Sequence, residues 1–353
     1  MDNEILKKLK SIETSDQTSG FPPMVKGRVL HADADVFAYK ALDLDYSLAS
    51  NKKELDEIIR IWKGLSGAEY VHLHLTMGNK GGRNEIAQVK KYQGNRRKHE
   101  PAKRDRLDEL KQYMSLMHTD DVKACAWYDQ EADDGMCQAM QNNTKDVLFT
   151  IDKDLWMVPG KHINKETFEI EEFPDGFGKC WIEVDESGKK KVRGRGTSWF
   201  WHQLLAGDTA DNIPGLPELD VAIWVKYAPT QKYVDLTRRI ASKRLPNGNL
   251  MTNDQYKKTV LRFSQYCKTL KPKKCGPVLA HEYLKDCLTD RMAYQRVLEA
   301  YYTHYGETFT FINWKKEPVT CNYKDMLLEQ ARLLWMRRTK GEDVKEWLQT
   351  ISQ

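Results

Sequence analysis

The sequence contains no run of about 18 consecutive apolar residues, which is the length that a membrane-spanning helix requires. Its first 20 residues lack the apolar core of a secretory signal, so we expect a cytoplasmic protein that contacts no membrane. No Cys-x-x-Cys pair is present, which argues against a disulfide framework and a structural zinc site and favours a reducing compartment. The cysteines are scattered and odd in number: Cys125, Cys137, Cys180, Cys267, Cys275, Cys287 and Cys321.

Charge is abundant, but it is distributed unevenly. Lys and Arg number 56 and Asp and Glu 51 in 353 residues. Segment 79–106 has ten basic and three acidic side chains, and segment 220–274 has thirteen basic and three acidic ones. The remainder of the chain is therefore net acidic. Two cationic segments on an anionic body are typical of a protein that binds a polyanion and gathers carboxylates elsewhere.

Alternating strand and helix patterns predict a parallel α/β sheet with helices on both faces in the first half of the chain. Strands are predicted at 28–32, 68–78, 121–128 and 146–151, helices at 107–117 and 131–142, and a hairpin at 181–194. Beyond residue 197 the pattern is mainly helical, to a last helix at 327–338. We therefore expect a polar extension (1–24), an α/β domain (25–203) and a helical region (204–353).

Acidic residues follow three of the predicted strands, and a further acidic pair lies at Asp208 and Asp211. Because the strand ends of an open parallel sheet meet at one edge, these acids are expected to converge there. Asp152 and Asp154 would point to one side if their strand continues through them. The alternative for each cluster is structural, because Asp is a common helix N-cap and DNIPG is a good turn sequence.

Carboxylates gathered in one place repel one another and need cations. Ligands that are all oxygen, without Cys or His, suit hard ions such as Mg²⁺ or Mn²⁺. Two such ions about 3.5–4 Å apart activate water and stabilise the leaving oxygen of a phosphodiester. Together with the cationic segments, the acids indicate metal-dependent chemistry on a nucleic acid.

Five segments resemble, in order, the motifs of the 5′ nuclease superfamily, and most of all those of phage 5′→3′ exonucleases and of the 5′ nuclease domain of bacterial DNA polymerase I. The segments are HADADVF (31–37), YQGNR (92–96), EADD (131–134), TIDKDLWMVPG (150–160) and LLAGDTADNIPGLP (204–217). The resemblance implies a PIN-like parallel sheet flanked by helices. It also implies two Mg²⁺ or Mn²⁺ ions bound by Asp33, Glu131, Asp133, Asp134, Asp152, Asp154, Asp208 and Asp211.

The resemblance also assigns roles to basic residues. Segment 79–106 corresponds to the arch or gateway through which a single-stranded 5′ end passes, with Tyr92 offering a stacking face to a base. Residues expected near the scissile phosphate are Arg83, Lys90, Lys91, Gln93 and Arg96, and Arg97 and Lys98 would continue the cationic lining. Two positions depart from the family: Gln93 replaces the usual lysine, and Thr76-Met77-Gly78 replaces an acid at the end of the second strand.

The family's helix–hairpin–helix, which grips duplex DNA, corresponds to segments 204–217 and 274–287. Here the two halves are separated by the basic segment 218–273, which we expect to enlarge the duplex-binding surface. Lys273, Lys274 and Gly276 are therefore candidate DNA-binding residues, and the motif could hold a bridging K⁺ ion.

These expectations favour a metal-dependent 5′→3′ exonuclease or flap endonuclease acting in DNA replication or host DNA degradation. Its partners would be DNA with 5′ ends, flaps or nicks, RNA–DNA hybrids and phage replication proteins, in the host cytoplasm if the chain is phage-encoded. One alternative is a PIN-type ribonuclease or an RNase H-like remover of RNA primers. Another is a replication-associated DNA-binding protein with a weakened nuclease site.

Overall fold

A six-stranded sheet organises the first half of the chain. The structure is a computed structural model that describes residues 21–97, 99–141 and 143–353. The sheet strands are β1 (Val25–Asp33), β2 (Ala68–Thr76), β3 (Val122–Trp127), β4 (Val147–Phe149), β5 (Gly160–Ile163) and β6 (Ile170–Phe173). Their order is β3-β2-β1-β4-β5-β6, with parallel pairing from β3 to β5 and β6 antiparallel to β5. The predicted parallel α/β sheet is confirmed.

Helices cover both faces of this sheet, because its buried strands carry apolar side chains on both sides. Val147 and Phe149 belong to the apolar core on one face, and Leu148 between them belongs to the core on the other. The helices are α1 (Ala34–Ala41), α2 (Leu48–Ser66), α3 (Arg83–Ile86), α4 (Pro101–Ser115) and α5 (Ala132–Met140). The first core includes α1, α2 and α4, and the second includes α5.

Several predicted boundaries differ from the structure, among them those of α4, β4 and the last predicted helix. Helix α4 begins at Pro101 rather than at 107, because proline is favoured in the first turn of a helix. Strand β4 ends at Phe149, so Asp152 and Asp154 do not share one side of a strand. Instead, Asp152 caps a 3₁₀ turn (Lys153–Met157) by accepting a 2.9 Å hydrogen bond from the backbone of Asp154. The last predicted helix, 327–338, begins earlier and stops at Leu334.

The second half is mainly helical, as predicted, and begins with the predicted hairpin. The hairpin is formed by β7 (Lys179–Val184) and β8 (Lys190–Arg195), which pair antiparallel. The further helices are α6 (Thr197–Ala206), α7 (Val221–Tyr227), α8 (Gln231–Ser242), α9 (Asn253–Cys267), α10 (Pro277–Leu284), α11 (Asp290–Tyr305), α12 (Tyr323–Leu334) and α13 (Val344–Ser352). Helix α6 is apolar on all sides and is buried at the centre of the second core.

Short strands join distant parts of this helical region. They are β9 (Glu218–Leu219), β10 (Lys273–Lys274), β11 (Phe309–Ile312) and β12 (Pro318–Cys321). Strand β10 pairs antiparallel with β9, and the Cys275 amide donates a 3.1 Å hydrogen bond to the Pro217 carbonyl. The two ends of segment 218–273 therefore meet, which brings residues 204–217 next to 274–287. The expected domain boundaries stay predictions.

Part of the expected polar extension, residues 1–20, lies outside the described residues, as does Asn142 at the end of a predicted helix. Among the described residues, no helix is long and apolar enough to cross a membrane. All seven cysteines are free thiols.

Candidate functional site

The carboxyl ends of the central strands open into a cleft of about 1230 Å³. Three of these strands, β1, β3 and β4, are followed by an acid where the chain turns into the next element. Asp33 ends β1 and caps α1, Glu131 caps α5, and Asp152 caps the following 3₁₀ turn. The carboxylates predicted as metal ligands that line the cleft are Asp33, Glu131, Asp133, Asp152 and Asp211. Asp35 also lines it, although it is not among the predicted ligands.

Asp33, Asp133 and Asp152 form the inner group of this cleft. Burial raises the pKa of Asp33 to about 7, and the charges of Asp35 and Asp152 add to the shift. Burial likewise raises the pKa of Asp133 well above its ordinary value, reinforced by Asp152 and Asp33. The pKa of Asp152 is raised mainly by burial. The three carboxylates therefore repel one another, and no ion-pair partner serves any of them within the described residues.

Asp134 faces away from the cleft and has a different role. It is fully buried, and both of its oxygens accept hydrogen bonds from Arg83, at 2.8 and 3.0 Å. Although burial alone would raise the pKa of Asp134, the Arg83 guanidinium holds it below its ordinary value. Arg83 is itself fully buried and also donates to the carbonyls of Leu333 and Trp335. This position differs from the predicted contact of Arg83 with a scissile phosphate and gives the pair a structural role.

Asp154 and Asp208 lie behind the cleft surface. Lys153 places its ammonium 2.8 Å from Asp208 and 3.9 Å from Asp154, and Gln203 donates a 2.6 Å hydrogen bond to Asp154. Burial raises the pKa of Asp154 well above its usual range. Against the effect of burial, Lys153 lowers the pKa of Asp208. Lys153 was not among the predicted site residues, although it separates two of them in the sequence.

Asp211 is held by residues of the YQGNR segment. Tyr92 donates a 2.8 Å hydrogen bond to one of its oxygens, and Gln93 and Arg96 donate to the other at 2.9 and 2.5 Å. Tyr92 is only 4% exposed, and its hydroxyl also lies 3.1 Å from Glu131. Its ring therefore offers no open stacking face to a base, which differs from the prediction.

The predicted basic residues divide between the cleft and the outer surface. Gln93 and Arg96 line the cleft, whereas Lys90 and Lys91 are exposed outside it. Arg97 lines a second cavity beside the first, and Lys98 lies outside the described residues.

The lysines that do line the cleft are Lys40, Lys80, Lys111, Lys153 and Lys165. Lys80 donates a hydrogen bond to the side-chain oxygen of Gln93. The sequence signal for Lys80 is its position four residues after the end of β2.

The candidate duplex-binding residues lie where the two ends of segment 218–273 meet. Lys273 and Lys274 form β10, and the Lys273 ammonium lies 3.5 Å from the Trp224 ring centroid. The Gly276 amide donates a 3.0 Å hydrogen bond to the Lys274 carbonyl, so in this structure its proton is engaged in the tight turn after β10. The roles of Lys273, Lys274 and Gly276 in DNA binding stay predictions.

Within the portion of the chain that the structure describes, no three His, Cys, Asp or Glu side chains are arranged so that they could hold a metal ion together. Cationic side chains contact several of the acids instead, as Arg83, Lys153 and Arg96 show. The chemistry of the inner group nevertheless fits a hard divalent cation, because Asp33, Asp133 and Asp152 supply only oxygen ligands and none of them has an ion-pair partner among the described residues.

No protein-family model matches the chain, and no curated protein matches its sequence. Solved structures of bacteriophage T5 proteins are similar to it in fold. The T5 5′-exonuclease with bound zinc is 14% identical, with a TM-score of 0.40, over 87% of this chain and 100% of the other. The T5 flap endonuclease in a complex with DNA and metal ions is 11% identical, with a TM-score of 0.37, over 87% of this chain and 99% of the other.

Proposed function

We propose that this chain is a metal-dependent nuclease that hydrolyses DNA phosphodiesters at or near 5′ ends. The observation that carries the proposal is the inner group of Asp33, Asp133 and Asp152, which lies in an open cleft without an ion-pair partner among the described residues. A buried set of like charges costs folding free energy, and functional sites are where such a cost is commonly found. The order of the five motifs supports the same chemistry.

The inner group would hold Mg²⁺ or Mn²⁺, because its donors are all carboxylate oxygens. Glu131 and Asp211 line the same cleft and would complete the ligand set. Divalent ions bound there would activate water and stabilise the leaving oxygen of the phosphodiester. Tyr92 links these two acids through its hydroxyl and so fixes their separation.

Lys80 and Arg96 would orient the phosphate beside the acids. Gln93 replaces the lysine that the family resemblance leads us to expect, but Lys80 reaches its side-chain oxygen from the end of β2. We infer that Lys80 supplies the missing positive charge. Burial lowers the pKa of Lys80, while Glu131 acts in the opposite direction.

We also propose that the basic arm, defined as α8, α9 and the loop between them (231–267), binds the phosphate backbone of the duplex. The two helices pack on each other through Tyr233 and Phe263, whose ring centroids lie 5.4 Å apart, and no residue of either helix is fully buried. Among the described residues, several cations of the arm have no carboxylate within ion-pair distance. They are Lys232, Arg238, Arg239, Lys243, Lys257, Lys258 and Arg262.

Digestion of end-labelled substrates tests the proposal. Flapped, nicked and blunt DNA duplexes and a matched RNA–DNA hybrid are incubated with the wild-type chain in Mg²⁺ or in EDTA. We expect short products from the 5′ end in Mg²⁺ only, and a loss of at least about 100-fold in Asp33→Asn. The surface variant Glu307→Gln is the matched control.

Full activity of Asp33→Asn would contradict the proposal. Preferential cleavage of the hybrid would favour the primer-removing alternative. DNA binding without cleavage would favour the binding protein with a weakened site.

A further inference from the structure

The hairpin formed by β7 and β8, here named the hairpin wall (179–195), has two chemically different faces. Trp181 lies opposite Arg193, and Lys179 opposite Arg195. Because cross-strand partners and alternate residues of a strand share a face, the odd-numbered residues project together. That face carries Lys179, Trp181, Glu183, Lys191, Arg193 and Arg195, which are four cations, one acid and an indole.

The opposite face of the hairpin wall is built for packing. Cys180 and Val192 pack against the second apolar core. Gly194 lies so close to the Trp199 ring that an added Cβ atom would come within 2.7 Å of it. The hairpin wall therefore packs on the body of the protein through one face, and its basic and aromatic face takes no part in that packing.

That second face lies in the catalytic cleft. Trp181, Glu183, Arg193 and Arg195 line the same cleft as Asp33 and Asp152. Trp156 and Phe173 line it as well. The proposed hydrolytic site and this face are thus two parts of one continuous surface.

Aromatic rings and guanidinium groups alternate along the face. Arg193 lies 5.3 Å from the Trp156 ring centroid, and Arg195 lies 5.6 Å from that of Trp181. Glu183 accepts hydrogen bonds from the Trp181 indole at 3.1 Å and from Arg193 at 2.9 Å. The indole and the guanidinium group are consequently held in position before any ligand binds, which lowers the entropic cost of binding.

We propose that the cleft face of the hairpin wall binds unpaired nucleotides of the strand that reaches the acids, with Trp181 as a stacking surface for a base. This inference rests on the proposed function. Aromatic rings stack on any base whose face is uncovered, and cations beside such rings attract the backbone phosphates. Arg193, Arg195 and Lys191 already pair with Glu183, Glu171 and Asp185, so Lys179 is the cation of this face that has no ion pair among the described residues. Bases inside a duplex already have both faces covered, so the occupant is single-stranded.

Equilibrium binding by the full-length chain in EDTA tests this inference without hydrolysis. The probes are fluorescein-labelled oligo-dT, a duplex with a 5′ dT flap and the same duplex without a flap. We expect Trp181→Ala to weaken binding of oligo-dT and of the flapped duplex roughly tenfold or more, and binding of the blunt duplex less than about twofold. Trp181→Phe should restore most of the loss, because it restores an aromatic face.

Lys190→Ala is the matched control, since Lys190 is exposed on the same hairpin but points to the opposite side. Unchanged binding of oligo-dT by Trp181→Ala would overturn the inference. If the wild-type chain meanwhile cleaves flapped DNA in Mg²⁺, the proposed function survives that result. A wild-type chain that neither binds nor cleaves DNA would overturn both.

Discussion

At the scale of single residues, the carboxylates near the strand ends divide into those with an ion-pair partner and those that have none among the described residues. Asp134 is held by Arg83 and Asp208 by Lys153, whereas Asp33 and Asp133 repel each other inside the cleft. Breaking a buried ion pair leaves an uncompensated charge and destabilises the fold, whereas removing an unpaired buried charge relieves repulsion. The two kinds of acid should therefore respond in opposite ways to substitution.

Replacing Asp152 by asparagine should remove hydrolysis and, at the same time, stabilise the metal-free protein. Asparagine keeps an oxygen that can accept the Asp154 amide, but it removes a charge that repels Asp33 and Asp133. We expect a gain of about 1 kcal/mol in the free energy of unfolding in EDTA near pH 7. Thermal melting in EDTA measures it. A melting temperature below that of the wild type would contradict the account of the inner group.

Replacing Arg83 by methionine should destabilise the fold by about 3–5 kcal/mol, because the buried carboxylates of Asp134 and Glu131 would both lose their guanidinium partner. The double variant Arg83→Met with Asp134→Leu should recover a large part of this loss. Urea unfolding of both variants measures the difference. A stable Arg83→Met variant that has lost hydrolysis would instead support the contact with substrate that the sequence motif predicts.

Lys40 gives a pH-dependent prediction. Burial, with a smaller contribution from Lys165, lowers its pKa from 10.5 to about 8. Between about pH 8 and pH 10.5 this position binds more protons in the unfolded chain than in the folded one, so stability rises with pH in that range. Below about pH 8 the charged ammonium lowers the free energy of unfolding by its full amount, and this cost disappears as the pH rises to 10.5.

Lys40→Met should therefore raise the free energy of unfolding by about 1–3 kcal/mol at pH 7 and by much less at pH 10. Urea unfolding at both pH values measures the gain, and the exposed Lys53→Met is the control. An equal gain at both pH values would show that packing, rather than charge, is responsible.

At the scale of secondary-structure elements, the sequence predicted the features that depend on the local pattern of apolar and polar residues. The β2 sequence alternates apolar and polar side chains, and the second half of β1 is mainly apolar and stops at an acid, so both strands and the position of Asp33 followed directly. The end of β4 was missed because the Asp152 side chain bonds the backbone two residues later and turns the chain.

The orientation of Arg83 could not be predicted in the same way. Its partners include the carbonyls of Leu333 and Trp335, about 250 residues further along the chain. Only tertiary packing brings these groups together, so no local sequence motif could predict their contact. The same applies to Tyr92, whose burial between Glu131 and Asp211 depends on two later segments.

The basic arm makes an element-scale prediction about salt. A protein that neutralises phosphates releases counterions, so each lost contact reduces the slope of log K against log salt by about 1. The triple variant Lys257→Ala, Lys258→Ala and Arg262→Ala should therefore bind duplex DNA with a slope that is smaller by about 2–3. Filter binding between 50 and 200 mM salt, roughly the range over which such contacts are lost, measures it.

The matched control carries Lys315→Ala and Lys316→Ala, which change the loop between β11 and β12 outside the arm. The rate of cleavage at saturating DNA should stay unchanged in the triple variant, because the arm does not line the cleft. An unaltered salt slope would show that the arm does not contact the duplex.

At the scale of the whole molecule, charge is organised into an acidic centre with basic surroundings. The acids lie at the strand ends of the sheet, Lys80 and Arg96 lie at the cleft, and the basic arm extends from the helical region. Such an arrangement attracts a polyanion to the surface and keeps its phosphate beside a site that favours cations. We therefore expect the inner group to bind divalent ions.

Calorimetric titration of the metal-free chain with Mn²⁺ tests this claim most directly, because it measures the ions without relying on activity. We predict two bound ions for the wild type, and a weakened or missing site in a variant that carries Asp133→Asn and Asp152→Asn. Glu307→Gln should match the wild type. Binding that is absent in the wild type, or identical in the wild type and the double variant, would contradict the account.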